Sequence, residues 1–169
     1  MLHKLATGYY AVVPAHSTDR IWLPSLEAAA YGIPAADYGR DGAVLMGLSA
    51  ARLHGAVPRA LAVAIVAVQK NRPRLNLSDR EAAIFFARRD PRRLDAERID
   101  TDLGPALATT VEQTLLDLAH RPDLGGVPGE ARDAVRALWA RADSARLADL
   151  AGQQRLKAAL LRAGNWAAE

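Results

Sequence analysis

The sequence of 169 residues contains no cysteine. Disulfides and thiolate metal sites are therefore excluded, and a reducing, cytoplasmic setting is the expected one. Aromatic residues supply only 5% of the chain although half of it is hydrophobic. Ala and Leu must carry the core, which favours helices packed closely on a modest sheet over an all-β sandwich. The one strongly apolar run, Leu61 to Val68, is far too short to span a bilayer. MLHKLATGYY at the start lacks the apolar centre of a signal peptide, so neither secretion nor a membrane is expected. Charge of one sign hardly dominates: 22 Lys and Arg against 19 Asp and Glu leave +3. An Arg- and Ala-rich composition produces that basicity whatever the function, and it points to nucleic acid only weakly.

Several catalytic arrangements are missing as well. The histidines, His3, His16, His54 and His120, form no HxxxH or HExxH pair, so no metal site and no cofactor are expected. Gly125-Gly126 and Gly129 are followed by Glu130-Ala131, where a phosphate loop needs a lysine and a hydroxyl. His54 and Ser49 stand five apart and face different sides of a helix, which favours packing or capping for His54 over a role as base. A divalent-metal nuclease needs carboxylates and a lysine converging on the ion. Val68-Gln69-Lys70 offers the lysine and Asp41 the only acid shortly upstream, so a nuclease using Asp41 and Lys70 stands as the alternative reading.

What the chain does have is a well-punctuated stretch from Leu45 to Val68. Ala43, Leu45, Met46, Leu48, Ala51, Leu53 and His54 recur at spacings that predict a helix, and Gly55 and Pro58 end it. LAVAIVAV then reads as a strand buried on both faces, because it is continuously apolar and rich in β-branched residues. Upstream, Gly8 to Pro14 predicts a short strand needing a partner: either it adds to the main sheet's edge or it is the last strand of an element whose beginning is missing from this sequence. Trp22 to Ile33 has helical spacing, broken at Tyr31-Gly32-Ile33-Pro34, with one more turn over Ala35 to Tyr38. Asp41-Gly42 is a turn leading into the Leu45 helix.

Downstream, residues 69–80 form a basic loop or ragged hairpin around Pro73. Ala82 to Ala87 is aromatic and β-branched enough to be a strand, although Ser78 to Glu81 has the spacing of a capping box. Thr109-Thr110-Val111-Glu112-Gln113 is the clearest helix start: Thr109 can cap with Glu112, or Thr110 with Gln113. Arg121-Pro122 stops that helix. Glu130 to Arg141 and Arg146 to Arg162 then read as two amphipathic helices, the second closed by Gly164. The whole predicts an α/β (α+β) fold, a small mixed sheet covered by helices with a helical C-terminal third. Lys70, Arg72, Arg74, Arg88, Arg89, Arg92 and Arg93 flank a strand pair. They would gather at one end of the sheet if that pair is a hairpin, and either meet phosphates or form a solvated surface paired with Asp90, Asp95 and Glu97.

Taken in order, GYYAVVP, LSAARLHG, the apolar strand with its basic exit, IFFARR and ATTVEQTLLDLA resemble the AbiEi family of antitoxins and transcriptional regulators of type IV toxin–antitoxin systems, in its actinobacterial, particularly mycobacterial, branch. The resemblance covers nearly the whole chain. Ser49 to Gly55 and Thr109 to Leu118 are its most specific pieces. It implies an N-terminal winged helix-turn-helix for operator DNA and a C-terminal α/β domain for antitoxin action. Residues 1–16 would then be a wing-like remnant and 17–169 the antitoxin domain, with the groove-reading helices outside this sequence and operator binding weakened. The implied partner is a nucleotidyltransferase-like toxin, opposed directly or indirectly and without a stable complex being required; catalysis is not expected. For DNA contact, the reading names His3 and Lys4 in the wing and Arg72 and Arg74 as phosphate contacts. A third possibility is a protein-interaction module without DNA binding.

Overall fold

Successive side chains of a strand point to opposite faces, and in Val63–Val68 both sets are apolar, so this segment has to lie between two layers. The computed structural model describes residues 1–17 and 21–169 and places it there. Ile65 and Ala67 enter one core, and Ala64, Val66 and Val68 enter another.

Before that segment the chain forms β1 (Leu2–Ala6), β2 (Tyr9–Val12), α1 (Leu26–Tyr38), β3 (Ala43–Leu45) and α2 (Gly47–Leu53); the segment itself is β4. After it come β5 (Leu75–Asn76), β6 (Ala83–Arg88), a 3-10 turn at Pro91–Arg93, β7 (Ala96–Thr101) and β8 (Gly104–Thr109). Four helices close the chain: α3 (Val111–His120), α4 (Pro128–Trp139), α5 (Ser144–Gln153) and α6 (Lys157–Ala168). The main sheet has six strands in the order β5-β6-β4-β3-β8-β7, and β1 and β2 pair as a separate hairpin. The sheet is mixed: β3 with β8 and β4 with β6 run parallel, and the other neighbours antiparallel.

One face is covered by α3 to α6, with Leu115, Leu116, Val135, Leu138 and Leu147 buried on it. The other is covered by α1, through Ala29, Ala30 and Ile33, and by the hairpin, through Leu5, Ala6 and Ala11. Each large side chain buried in this way contributes about 1.5–3 kcal/mol. The mixed α/β architecture with its helical C-terminal third is as expected. Among the described residues no helix is long and apolar enough to cross a membrane.

Several local expectations are corrected. Ala43 to Leu45 is a strand, and α2 is one short helix beginning at Gly47; what looked like helical spacing spans two elements that both bury apolar residues. Gly55 does end the turn after α2, at φ +73°. Helix α1 continues through Pro34 to Tyr38 and stops at Gly39 (φ +85°), because its buried Ala29, Ala30 and Ile33 hold it on the sheet despite the missing donor. The expected helix over Arg146 to Arg162 is two helices. Arg155 turns the chain at φ +58°, which lets Leu147, Ala151, Leu156, Ala159 and Ala163 all reach the same core. Gly164 lies inside α6 against the Trp139 ring. The β7–β8 hairpin has no counterpart among the elements that the sequence predicts.

Strands β4 and β6 pair in parallel with Val68 opposite Arg88, not as a hairpin. The connection 69–82 passes beyond β6 to lay down β5 at the edge and then returns. Parallel pairing is what brings the exits of β4 and β6, and their basic residues, to the same end of the sheet.

Candidate functional site

The four basic residues named for DNA contact are not brought onto one surface. On β1, Lys4 is exposed, while His3 places Nε2 2.8 Å from Asp79 Oδ2 and stands edge-on to Trp22. Arg72 is drawn inward: its side chain is only 13% exposed, with Nη1 donating to Asp37 Oδ2 at 2.7 Å and Nη2 to Tyr9 Oη at 2.8 Å. Its guanidinium lies 4.6 Å from the centre of the Phe86 ring and 5.7 Å from those of Tyr9 and Tyr38. Tyr9 Oη in turn donates to Asp37 Oδ2, and chiefly that bond holds the Asp37 carboxyl below its ordinary range. Arg74 stacks on Phe85. Phe85 and Phe86 are adjacent in one strand, so Arg72 and Arg74 lie on opposite sides of the sheet. Asp41 and Lys70 do line a common hollow of about 350 Å³ with Asp90 and Arg92, where Asp41 pairs with Arg98 at 2.7 Å. Among the described residues no three His, Asp or Glu side chains are placed to hold a metal ion.

A different cluster, not found from the sequence, sits where the chain leaves β6 and crosses to β7. Arg89 extends the β6 ladder through its N–H to the Val68 carbonyl (3.0 Å), and Asp90 caps the following 3-10 turn. The crossing ends on the first turn of α3. Asp95 donates its N–H to Gln113 Oε1 (3.2 Å) and accepts from Thr110 Oγ1 (2.7 Å), while Thr110 Oγ1 caps the helix by accepting from Gln113 N–H. Of the two caps the sequence offered, Thr110 with Gln113 is the one formed.

One turn farther along, Gln113 and Gln154 exchange amide hydrogen bonds of 3.0 and 2.6 Å. Gln113 Nε2 also donates to Asp117 Oδ1 at 3.1 Å, and Arg89 Nη1 donates to the same oxygen at 3.3 Å. Asp117 is buried, its side chain 1% exposed, and Oδ2 has no hydrogen-bond partner among the described residues. Burial pushes its carboxyl up to about 6 in spite of Arg89 and Gln113. Asp117 lines a cavity of about 330 Å³ with Arg89, Gln154, His120, Arg121 and the apolar Met46, Leu124 and Leu156. Arg89 and Gln154 also line a wider groove of about 940 Å³ edged by Arg88, Arg93 and Arg155. The spacing Thr110, Gln113, Thr114, Asp117 is the signal that could have revealed the cluster: it makes one polar face of a helix whose opposite face carries Leu115, Leu118 and Ala119.

The two stretches Ser49 to Gly55 and Thr109 to Leu118 also meet. His54 Nε2 lies 2.7 Å from the Thr109 carbonyl, and Thr109 Oγ1 is bonded to Thr114 Oγ1. Ser49 Oγ accepts from the Ile65 N–H and ties α2 to β4. His54 and Ser49 are thus separately engaged in structural bonds. Comparison with protein-family models and with curated proteins finds no match for this chain.

Proposed function

We propose that this chain is the non-catalytic antitoxin, and a contributor to transcriptional autoregulation, of a type IV toxin–antitoxin pair whose toxin is a nucleotidyltransferase-like enzyme. The observation that supports this reading is the meeting of its two most specific stretches: Ser49 to Gly55 and Thr109 to Leu118 are joined through His54 and the Thr109 carbonyl, and so form one structural unit. In this reading the domain acts by binding, either to the toxin or to what the toxin modifies. The β1–β2 hairpin has the two-stranded form of a wing. Lys4 on it is open to phosphates, while His3 and Arg72 hold it in place through Asp79 and Asp37; Arg74 lies on the opposite side of the sheet.

The test is co-expression: a nucleotidyltransferase-like toxin encoded beside this chain is induced while the chain is supplied from an unrelated promoter, and growth is scored. Rescue is expected, with toxin and chain each verified as folded and abundant. Continued growth arrest refutes the antitoxin reading for this domain.

The alternative, a metal-dependent nuclease, is favoured by one observation, the common hollow lined by Asp41, Lys70 and Asp90. Cleavage of single- or double-stranded nucleic acid with Mg²⁺ or Mn²⁺, lost on Asp41→Ala, would establish it in place of the first reading. No cleavage with either ion removes it.

A further inference from the structure

The cavity beneath Asp117 and the basic groove outside it share a wall made of Arg89 and Gln154. The inner space is walled by the apolar Met46, Leu124 and Leu156 on one hand and by His120 and Arg121 on the other, and it holds a carboxylate that is nine-tenths buried with one oxygen unpartnered. A buried acceptor left without a donor costs the desolvation of that atom with nothing in return, so a hydrogen-bond donor that fits the space is bound favourably. The outer space is edged by the exposed Arg88, Arg93 and Arg155, none of which has an ion-pair partner among the described residues. Arg155 is also the one non-glycine at positive φ among the described residues, a conformation that L residues avoid and that puts this side chain at the turn between α5 and α6.

From this juxtaposition we infer that the cavity and the groove form one binding site for a nucleoside phosphate. The base enters between Met46, Leu124 and Leu156 and gives an amino or imino hydrogen to Asp117 Oδ2, and the phosphate rests on Arg93, Arg155 and Arg88. Arg89 is the part of the wall that yields. Its bonds to Asp117 Oδ1 and Gln154 are long, 3.3 and 3.5 Å, so it can swing toward the arriving anion and open the wall between cavity and groove. The inference goes beyond the antitoxin reading and does not depend on it. The same chemistry is carried by a free nucleotide and by the phosphorylated end of an RNA strand.

Titration calorimetry of the full chain with guanosine 5′-monophosphate, guanosine, inorganic phosphate and a 5′-phosphorylated RNA hexamer tests it. The nucleotide should bind at least about tenfold more tightly than guanosine or phosphate, since only it uses both halves of the site. Arg93→Ala with Arg155→Ala, two exposed positions whose loss leaves the core intact, should weaken the nucleotide about tenfold and leave guanosine unchanged. Asp117→Asn should weaken the nucleotide by a similar factor and leave phosphate unchanged. A hexamer that binds about tenfold better than the mononucleotide identifies the RNA end as the source; equal or weaker binding identifies the free nucleotide. Inorganic phosphate binding as tightly as the nucleotide, no binding of the nucleotide at millimolar concentration, or an unaltered affinity in the double arginine variant overturns the site.

Discussion

Replacing Arg72 should loosen the hairpin from the body of the protein, and the size of the effect follows from its contacts. The guanidinium covers Phe86 at 4.6 Å and reaches Tyr9 and Tyr38 at 5.7 Å, with the side chain mostly out of water. A cation over a ring contributes about 0.5–1 kcal/mol where exposed and about 2 where desolvated. The bond to Asp37 adds less than a buried pair would, because that carboxylate is 36% exposed and solvent screens it. Arg72→Ala should therefore cost about 2–3 kcal/mol, or roughly 5–10 °C in Tm for a chain of this size. Tyr9 keeps its bond to Asp37, so the loss falls on the Arg72 contacts themselves. Urea denaturation followed by tryptophan fluorescence is suited to the measurement, since Trp22 adjoins His3 of the hairpin while Trp139 and Trp166 pack in the opposite core. Arg72→Lys keeps the charge but not the planar group that lies on Phe86, and should lose most of the same stability. If Arg72→Lys is as stable as the parent, or Arg72→Ala costs less than about 0.5 kcal/mol, then the aromatic cage does not hold the hairpin.

Two further perturbations probe the candidate site. The carboxyl of Asp117 is raised from 3.8 to about 6 by burial, so the folded chain holds that proton more tightly than the unfolded chain. Stability from this group is therefore present at about pH 4, falls as pH rises toward about 6 and stays lost above it. Asp117→Asn should add at most about 3 kcal/mol at pH 7.5 and nothing at pH 4; an equal effect at both values in chemical denaturation contradicts the argument. Gly125 has φ +99°, and a Cβ there would stand 3.2 Å from Ile65 Cδ1 and 3.3 Å from Leu48 Cδ1, whereas Gly126 (φ +76°) has open space around it. Gly125→Ala should cost roughly 1–3 kcal/mol and Gly126→Ala only the backbone strain of about 1 kcal/mol, so equal melting temperatures for the two variants would deny the close approach.

The elements that could be read from the sequence are those whose own residues impose them. Val63 to Val68 is apolar on both faces and cannot be comfortable outside a sheet covered on both sides. Thr110 and Gln113 carry a cap in their own spacing, and Gly55 can take the left-handed turn that ends the α2 region. By contrast, AERIDT and GPALAT in β7 and β8 have little of the β-branched and aromatic character of strands. They are extended because Leu45 of β3 offers Ala108 an edge to pair with and because β7 then completes the hairpin.

The candidate site divides the same way. The basic residues were visible as a group, but their separation was not, since Arg72 and Arg74 are sent to opposite sides of the sheet by stacking on neighbouring Phe86 and Phe85. Asp117 reads in sequence as the ordinary polar face of a helix. It becomes buried only because the 88–95 crossover and α5 close over that face, bringing Arg89 and Gln154 to it from elsewhere in the chain.

By itself, then, the sequence determined the mixed α/β composition, the central buried strand, the Thr110 cap of α3 and the want of thiol chemistry, because each depends on residues close together in the chain. Tertiary structure alone decided that β4 and β6 run parallel, that the C-terminal helix breaks at Arg155, and that a carboxylate is trapped beside a basic groove. Those outcomes are set by which distant surfaces exclude water together, and no local pattern encodes the choice.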